Sequence, residues 1–414
     1  MPPVVLTLTF PVRDLPSSVT SVLSEFRLMV NRAIRFALEE GKTARGSIPA
    51  PFRQSLMREH RVNATHVGAA LEVALTAVKG HRRLLRKGRK GHIPYCRRPF
   101  LKTSKASFHI DPGTGKVRLS LRNGEWVSFF VPVYPHAQKV MRDPCVRLKS
   151  LTLTERRLCV SYELQAPEPY APKAAIALDT NERSLDGVMA DASTCRLVEV
   201  PFPEVKDIQK THFDRRRRLS RKKAHDRRVK RKLLAREGGR EHDRVSSRLH
   251  LLTNSVISTA TENRAALVLE ELKFPQRRGR GRKGGRTLSS WPQGELHRQL
   301  YYKAALHGVP LIAVNPAYTT KTCPRCGVRA ERVGKMFDCK GCGWSLDRQS
   351  NAGINIYATA RRETAELGGL RFDLDALAHD AMSPLYLVGS ATRAREDRTV
   401  REPNSPGPAS GHPL

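Results

Sequence analysis

The chain has 414 residues, enough for two or three domains with real cores, and 39% of them are apolar, which argues against disorder throughout. Its 74 Lys and Arg against 39 Asp and Glu leave a formal charge of +35. Self-repulsion at that charge is relieved by a polyanion, and counterions displaced from a phosphate backbone supply salt-dependent affinity. No run approaches the roughly 20 apolar residues of a membrane span. The opening MPPVVLTLTFPVRDL lacks a basic stretch followed by an apolar helix, as a secretory signal would have. A cytoplasmic, nucleoid-associated protein is the default expectation.

In chain order, residues 3–9 alternate weakly, are β-branched and read as one strand. Ser17 to Glu40 reads as a helix, with Val22, Phe26, Met29, Ala33 and Ala37 at spacings of three and four. A second helix runs from about Asn63 to Leu85 and ends in HRRLLRKGRKG. There Arg82, Arg83, Arg86 and Lys87 form a candidate phosphate-contacting cluster. Residues 104–165 are short apolar alternations separated by turns, among them Asp111-Pro-Gly-Thr-Gly115. They predict a small β-barrel-like domain, completed by the first strand and interrupted by the helical stretch. The corresponding limits are 1–14 for the first strand, 15–100 for the helical insertion and 101–168 for the β domain.

QAPEPYAP, just before Lys173, reads as a linker. A domain over 169–362 follows, opening on a buried strand that ends at Asp179, with Gly187 to Ala190 as a following strand. From Arg215 to Arg236, 13 of 22 residues are Lys or Arg; like charges this dense repel, which suits a polyanion, with a purely solvated charge run as the alternative. Arg215, Arg216, Arg217, Arg218, Arg221, Lys222, Arg227 and Arg228 are the candidate nucleic-acid contacts. With a helix from about Glu241 this run predicts a hairpin turning at Gly238-Gly239. AALVL predicts a strand delivering Glu270, and 277–286, RRGRGRKGGR, a basic loop too rich in glycine for a helix. Glu295 to His307 reads as helix, Pro310 to Val314 as strand and 348–361 as helix. The tail, 363–414, is expected to lack regular structure.

Cys96, Cys145, Cys159 and Cys195 are isolated, so no disulfide framework is indicated. Cys323, Cys326, Cys339 and Cys342 form CxxC…CxxC, each pair followed by glycine, within a knuckle at 317–346. Four thiolates suit tetrahedral Zn²⁺ and leave no open position, so the ion would be structural. Phe337 and Trp344 are equally candidates for the knuckle's core and for stacking platforms.

Asp179 and Glu270 stand where apolar strands end, and Asp347 stands between the knuckle and a helix. Carboxylate oxygens suit Mg²⁺ or Mn²⁺, and paired divalent ions neutralise the attacking and leaving oxygens in phosphodiester hydrolysis, which would leave a 5′-phosphate and a 3′-hydroxyl. An Asp after a strand more often caps a helix or starts a turn. Glu271, Asp186 and Asp191 are neighbouring alternatives, and spacing alone does not choose among them.

Three segments, in order, carry a resemblance: AIALDT ending at Thr180, LVLEELK at 267–273, and the block 298–356 with RQLYYKAALHGVPLIAVNPAYTTKTCPRCG and FDCKGCGWSLDRQSNAGINI. The chain resembles the TnpB proteins of insertion sequences and the related compact type V CRISPR effectors, well over 174–360 and in outline before that. The resemblance implies an α/β RuvC-like nuclease domain of RNase-H type with an inserted zinc knuckle, behind a wedge domain with a helical recognition insertion. It implies Asp179, Glu270 and Asp347 as the metal-binding catalytic triad, places Arg348 and Asn351 near it, and includes Arg244 and His250 in a similar stretch. It further implies a guide RNA directing cleavage of double-stranded DNA beside a short flanking motif. The alternative is a guided DNA-binding protein with weak or no cleavage. Thr180 stands where the family often has glycine, and Arg348-Gln349 where Arg-Asp is usual. Transposon and CRISPR association stay open.

Overall fold

A computed structural model describes residues 3–89, 91–122, 124–222, 226, 228–271, 292–330, 334–380 and 383–387. The chain divides into two compact units at Gln165/Ala166.

The first unit opens with strand β1 (Val4–Pro11), then helices α1 (Ser17–Glu39), α2 (Ala50–His60) and α3 (Ala64–Arg86). Strands β2 (Leu101–Ser104), β3 (Phe108–Ile110), β4 (Lys116–Arg122) and β5 (Glu125–Phe130) follow. Helix α4 (Pro135–Arg142) and strands β6 (Val146–Leu153) and β7 (Arg157–Leu164) complete it. β1 lies antiparallel to β7 from Val4 opposite Leu164 to Pro11 opposite Arg157, so the three helices are inserted between strands of one sheet, ordered β1-β7-β6-β2. The hairpin pair β3-β4-β5 forms a second sheet, and among the described residues no strand pairing joins the two. α1 buries Val19, Val22, Leu23, Phe26, Met29 and Val30 on one stripe, and α3 buries Val67, Ala70, Leu71, Ala74 and Val78. Each large side chain so buried contributes roughly 1.5–3 kcal/mol. Asn63 caps α3 by accepting from the His66 backbone N at 3.0 Å. α2 and α4 are not among the elements expected from the sequence. Both are short, and their signal is a proline in the first helical turn, where a missing N–H costs nothing.

The second unit is built on a mixed six-stranded sheet with helical insertions. Its elements are β8 (Ala174–Thr180), β9 (Ser184–Ala190), β10 (Cys195–Pro201), α5 (Pro203–Lys222), α6 (Ala235–Glu262) and β11 (Ala265–Glu270). Next come α7 (Gln293–Leu306), β12 (Leu311–Val314), β13 (Met336–Asp338), β14 (Ser345–Asp347), α8 (Arg348–Glu363), α9 (Leu374–Asp380) and β15 (Leu385–Tyr386). The order is β12-β11-β8-β9-β10-β15, with β8, β11 and β12 parallel and β9 antiparallel to both neighbours. Side chains alternate across a strand. Ile176, Leu178, Leu267 and Leu269 therefore pack with α6 and α7, while Ala175, Ala177, Ala266 and Val268 pack with Ile354 and Ile356 of α8. The small residues on that second face let α8 lie close to the backbone. No helix among the described residues is long and apolar enough to cross a membrane.

Two expectations are corrected. Gly238 and Gly239 do not turn the hairpin; they lie inside α6, with open space around each. The helical path into α6 begins near Arg228, where Asp226 accepts from the Arg228 backbone N at 2.8 Å. A glycine pair costs a helix about 2 kcal/mol, which the buried stripe Val245, Leu249, Leu252, Val256 and Ile257 outweighs. The tail is also ordered as far as it is described. α9 packs, Leu367, Leu370, Leu377 and Leu387 are buried, and β15 joins the sheet beside β10. The basic loop at 277–286 and the tail from 388 lie outside the described residues.

Candidate functional site

The alternation that sends Ala175 and Ala177 toward α8 sends Asp179 the same way. Val268 and Glu270 share that face on β11, and Leu269 pairs with Leu178, so Glu270 stands beside Asp179. On β9, Asp186 is the direct partner of Asp179, and Glu199 on β10 is the partner of Asp186. A row of four carboxylates thus crosses the sheet. Asp347 comes from the end of β14 and caps α8, accepting from the Gln349 backbone N at 2.8 Å. Burial first, then repulsion from Glu270 and Asp186, pushes Asp179 up to about 7. Burial also raises Asp186; hydrogen bonds from Ser184 (2.6 Å) and Asn181 (2.7 Å) pull it down, and Asp347 pushes it up. Burial raises Glu199, with Asp186 and Asp347 adding repulsion.

The structure therefore brings Asp179 beside Glu270, and Asp347 into electrostatic reach of Asp186 and Glu199. Glu271 is turned toward the α7 side, where its charge helps to raise the Tyr301 hydroxyl behind the larger effect of burial. Asp191 is exposed at a turn, accepting from the Ser193 and Thr194 backbones at 2.7 Å each, which hold it down at about 2. A set of hard oxygen donors that repel one another when unmetallated suits divalent cations. The donors are not drawn into a tight cluster: among the described residues, only the four thiols place three or more ligand atoms within 4.8 Å of one another.

Those thiols belong to Cys323, Cys326, Cys339 and Cys342, with Sγ–Sγ separations of 3.5 Å (Cys323–Cys342) and 3.4 Å (Cys326–Cys339). A tetrahedron of zinc–sulfur bonds near 2.3 Å has edges of roughly 3.8 Å, so the residues fit Zn²⁺. Gly327 and Gly343 both take φ +75°, and their backbone N–H groups close the turns onto Cys323 and Cys339. Only glycine adopts that conformation without strain. Phe337 and Trp344 are buried and form the knuckle's core, which settles the choice between core and stacking platform.

The knuckle is tied to the acids by polar contacts that the sequence reading missed. Asn351, wholly buried, accepts from Trp344 Nε1 at 3.2 Å and donates to the Thr322 carbonyl at 3.0 Å. Asn355 donates to the Thr319 and Thr322 carbonyls at 2.7 and 2.8 Å. Thr319 in turn donates its hydroxyl to Glu270 Oε1 at 2.6 Å. Asn351 is thus a positioning residue that holds the knuckle's leading strand on α8. Asn and Thr spaced for such contacts look like ordinary helix and loop residues, so their only sequence signal was the family pattern. The turns at the four cysteines carry this arrangement. Stripping zinc with a thiol-competing chelator in magnesium-containing buffer is expected to expose Trp344, now 3% accessible. Its emission should shift to the red and 319–347 should become protease-sensitive, with zinc but not magnesium reversing both. An unshifted spectrum in zinc-free protein would remove the structural role.

With this geometry in view, residues 294–356 match the family model described as the Cas12f1-like TNB domain. A TnpB-like protein of Methanocaldococcus jannaschii is 25% identical over 202 residues, 47% of this chain and 71% of the relative. The CRISPR-associated endodeoxyribonuclease Cas12f1 of Sulfoacidibacillus thermotolerans is 34% identical over 76 residues, only 18% of either chain. Its sequence is similar to TnpB-like proteins and to Cas12f1, and residues 294–356 carry the Cas12f1-like TNB domain. The fold agrees. The chain matches Cas12f1 in a complex with sgRNA and target DNA at a TM-score of 0.52, with 13% identity over 82% of this chain and 83% of that one. It matches the mini-RNA-guided endonuclease Cas_phi3 also at 0.52, with 10% identity over 86% and 92%.

The basic residues of the chain fall into two groups. Arg82, Arg83 and Arg86 line an open groove of about 490 Å³ with Thr43, Thr76, Lys79 and Gly80; Arg82 donates to the Gly41 carbonyl at 2.8 Å, and Lys87 follows directly. In the hairpin, Arg215 lies 3.6 Å from Glu237 and Arg216 pairs with Glu241, so part of the run's charge staples α5 to α6, while Arg228 makes a local contact 3.4 Å from Asp226. Arg217, Arg218 and Arg221 are exposed with no ion pair among the described residues. Lys222 ends α5, and Arg227 lies outside the described residues. Arg244 lies 3.5 Å from the buried His212, and the His250 carbonyl accepts from Lys303 at 3.0 Å, so both serve helix packing. Arg348 is half-buried at the start of α8, its backbone N bonded to the Lys335 carbonyl.

Proposed function

We propose that this chain is an RNA-guided endonuclease that hydrolyses double-stranded DNA beside a short flanking motif, on a RuvC-like domain of RNase-H type. The observation that carries the reading is the common face of Asp179 and Glu270, with Asp347 delivered to the same carboxylate row by the knuckle–helix block that matches the Cas12f1-like family. Its structural relatives include an effector solved with sgRNA and target DNA. Asp179, Glu270 and Asp347 would hold the divalent ions; Asp186, already hydrogen-bonded by Ser184 and Asn181, would support Asp179. When bound, Mg²⁺ or Mn²⁺ would neutralise the charge that builds on the scissile phosphate and its leaving oxygen. Thr319 orients Glu270, and the α8 cap orients Asp347. The arginine-lined groove at the end of α3, and Arg217, Arg218, Arg221 and Arg348, would meet guide and target backbones, with the first unit as wedge and recognition lobe.

A guided DNA binder with weak cleavage is the second reading; among the described residues the acids do not gather three ligand atoms within 4.8 Å of one another. The deciding experiment expresses the chain with its flanking genomic DNA, sequences the RNA that copurifies, and offers matching duplex DNA with Mg²⁺. A discrete RNA and guide-matched cuts are expected. A discrete RNA with binding but no cuts would favour the second reading, and absence of any specific RNA would sink both.

A further inference from the structure

The β3-β4-β5 sheet of the first unit buries one face and leaves most of the other exposed, apart from Ser120, the register partner of Trp126, which is buried and accepts from Asn63 at 3.1 Å. Val117, Leu119 and Phe129 point into the core. On the opposite face, His109, Lys116, Arg118, Trp126, Ser128 and Phe130 are all exposed, with Trp126 at 45% and Phe130 at 65%. The registers set His109 beside Arg118, Arg118 beside Ser128, and Lys116 beside Phe130. The Arg118 guanidinium lies over the Trp126 ring, 5.6 Å from its centroid. Trp126 and Phe130, four residues apart on one strand, are about 13 Å apart along it. An open groove of about 730 Å³ adjoins Phe130, lined also by Arg13, Asp14, Leu15 and Pro16.

Two large rings left in water are unfavourable unless something covers them. The surroundings state what kind of cover fits. His109, Lys116, Arg118 and Arg122 border the rings, and Glu125, 3.9 Å from Arg122, is the acid on the same strand pair. Cations interleaved with aromatic rings on a sheet match an unpaired polynucleotide, whose bases stack and whose phosphates pair with the flanking charges. A duplex hides its base faces and offers such a surface only its backbone.

From this we infer that the exposed β4-β5 face is a docking site for unpaired nucleotides, stacking bases on Trp126 and Phe130 while Arg118 and Lys116 hold the backbone. This site is separate from the carboxylate row and does not depend on cleavage.

The test uses the full chain carrying Trp291→Phe, without divalent ions, at 0.5 M salt to suppress purely ionic binding. Twelve-residue oligouridylate, oligothymidylate and a twelve-pair duplex, each end-labelled with fluorescein, are titrated while anisotropy reports binding in every variant and tryptophan emission reports stacking where Trp126 is present; the buried Trp344 serves as internal reference. Quenching by the single strands but not the duplex is expected. The two single strands distinguish an RNA from a DNA source by which binds tighter. Trp126→Ala and Phe130→Ala are each expected to weaken binding roughly tenfold, and Trp126→Phe to restore most of it, with unchanged melting temperatures confirming folding. Equal binding by Trp126→Ala, or equal quenching by the duplex, overturns the proposal. So does a dimer that dissociates on Trp126→Ala, which would assign the face to a second copy of the chain.

Discussion

Asp179→Asn is expected to abolish magnesium-dependent cleavage and at the same time to stabilise the metal-free protein at pH 8. The loss follows from removing a central oxygen donor. Second-layer partners of metal ligands typically cost 10–100-fold, so a ligand should cost more than about 100-fold. The gain follows from linkage. Burial, with Glu270 and Asp186 behind it, raises the Asp179 carboxyl from an ordinary 3.8 to about 7. Between those values the folded state keeps a proton that the unfolded state has released, so stability falls as pH rises through the window, and above it this proton's contribution is fully lost. Asparagine carries no such charge. It should flatten that fall and leave the variant more stable at pH 8 by a few kcal/mol, an order-of-magnitude figure at about 1.4 kcal/mol per unit. Denaturant midpoints from pH 4 to 8, in zinc-containing and magnesium-free buffer, measure it. Added magnesium should stabilise the parent and not the variant. A variant that cuts normally, or keeps the parent's pH slope, defeats the assignment of Asp179.

The second large effect concerns Gly353. In an exposed helix, Gly→Ala stabilises by about 1 kcal/mol. Here a Cβ at Gly353 would lie 2.3 Å from the Gly187 Cα and 2.9 Å from the Asp186 carbonyl, both strand backbone. Gly187 is itself pressed against Ala177, where a Cβ would meet the carbonyl oxygen at 1.7 Å. Neither partner can swing aside, so Gly353→Ala must lift α8 from β9 by an ångström or so. The cost is about 1–3 kcal/mol of overpacking. Asp347 caps that helix and moves with it. A 1 Å misplacement of a reacting group is worth about 100-fold in rate. Cleavage should therefore fall much further than stability, whereas Gly369→Ala, with nothing within 4 Å, should leave both unchanged. Activity within twofold of the parent would show that α8 does not set the site.

These two predictions divide the legible from the illegible. Strong periodicity made α1 and α3 readable almost to their ends, because each buries one continuous stripe. The apolar run into Asp179 and that into Glu270 were readable as strands because both faces of β8 and β11 are covered. The hairpin turn was misplaced because Gly238-Gly239 is a strong local turn signal that long-range packing along α6 overrides. Asp186 looked like a weak neighbour because the partner that brings it opposite Asp179 is set by the β8–β9 register, which no local pattern records.

By itself the sequence determined what covalent spacing and charge determine: a four-cysteine knuckle spaced to fit zinc with a glycine after each pair, a strongly basic chain suited to a polyanion, and two acids at the ends of buried strands. Only the tertiary structure decided that Asp179 and Glu270 share a face, that Glu271 is turned away, and that Asp186 and Glu199 extend the row. It also decided that Asp347 is held in reach by a glycine-to-glycine contact and by Asn351 and Asn355. Spacing along a chain fixes which atoms a short loop can bring to one ion. Convergence from β8, β11 and α8 depends on strand register and helix-to-sheet distance, which are properties of the packed whole.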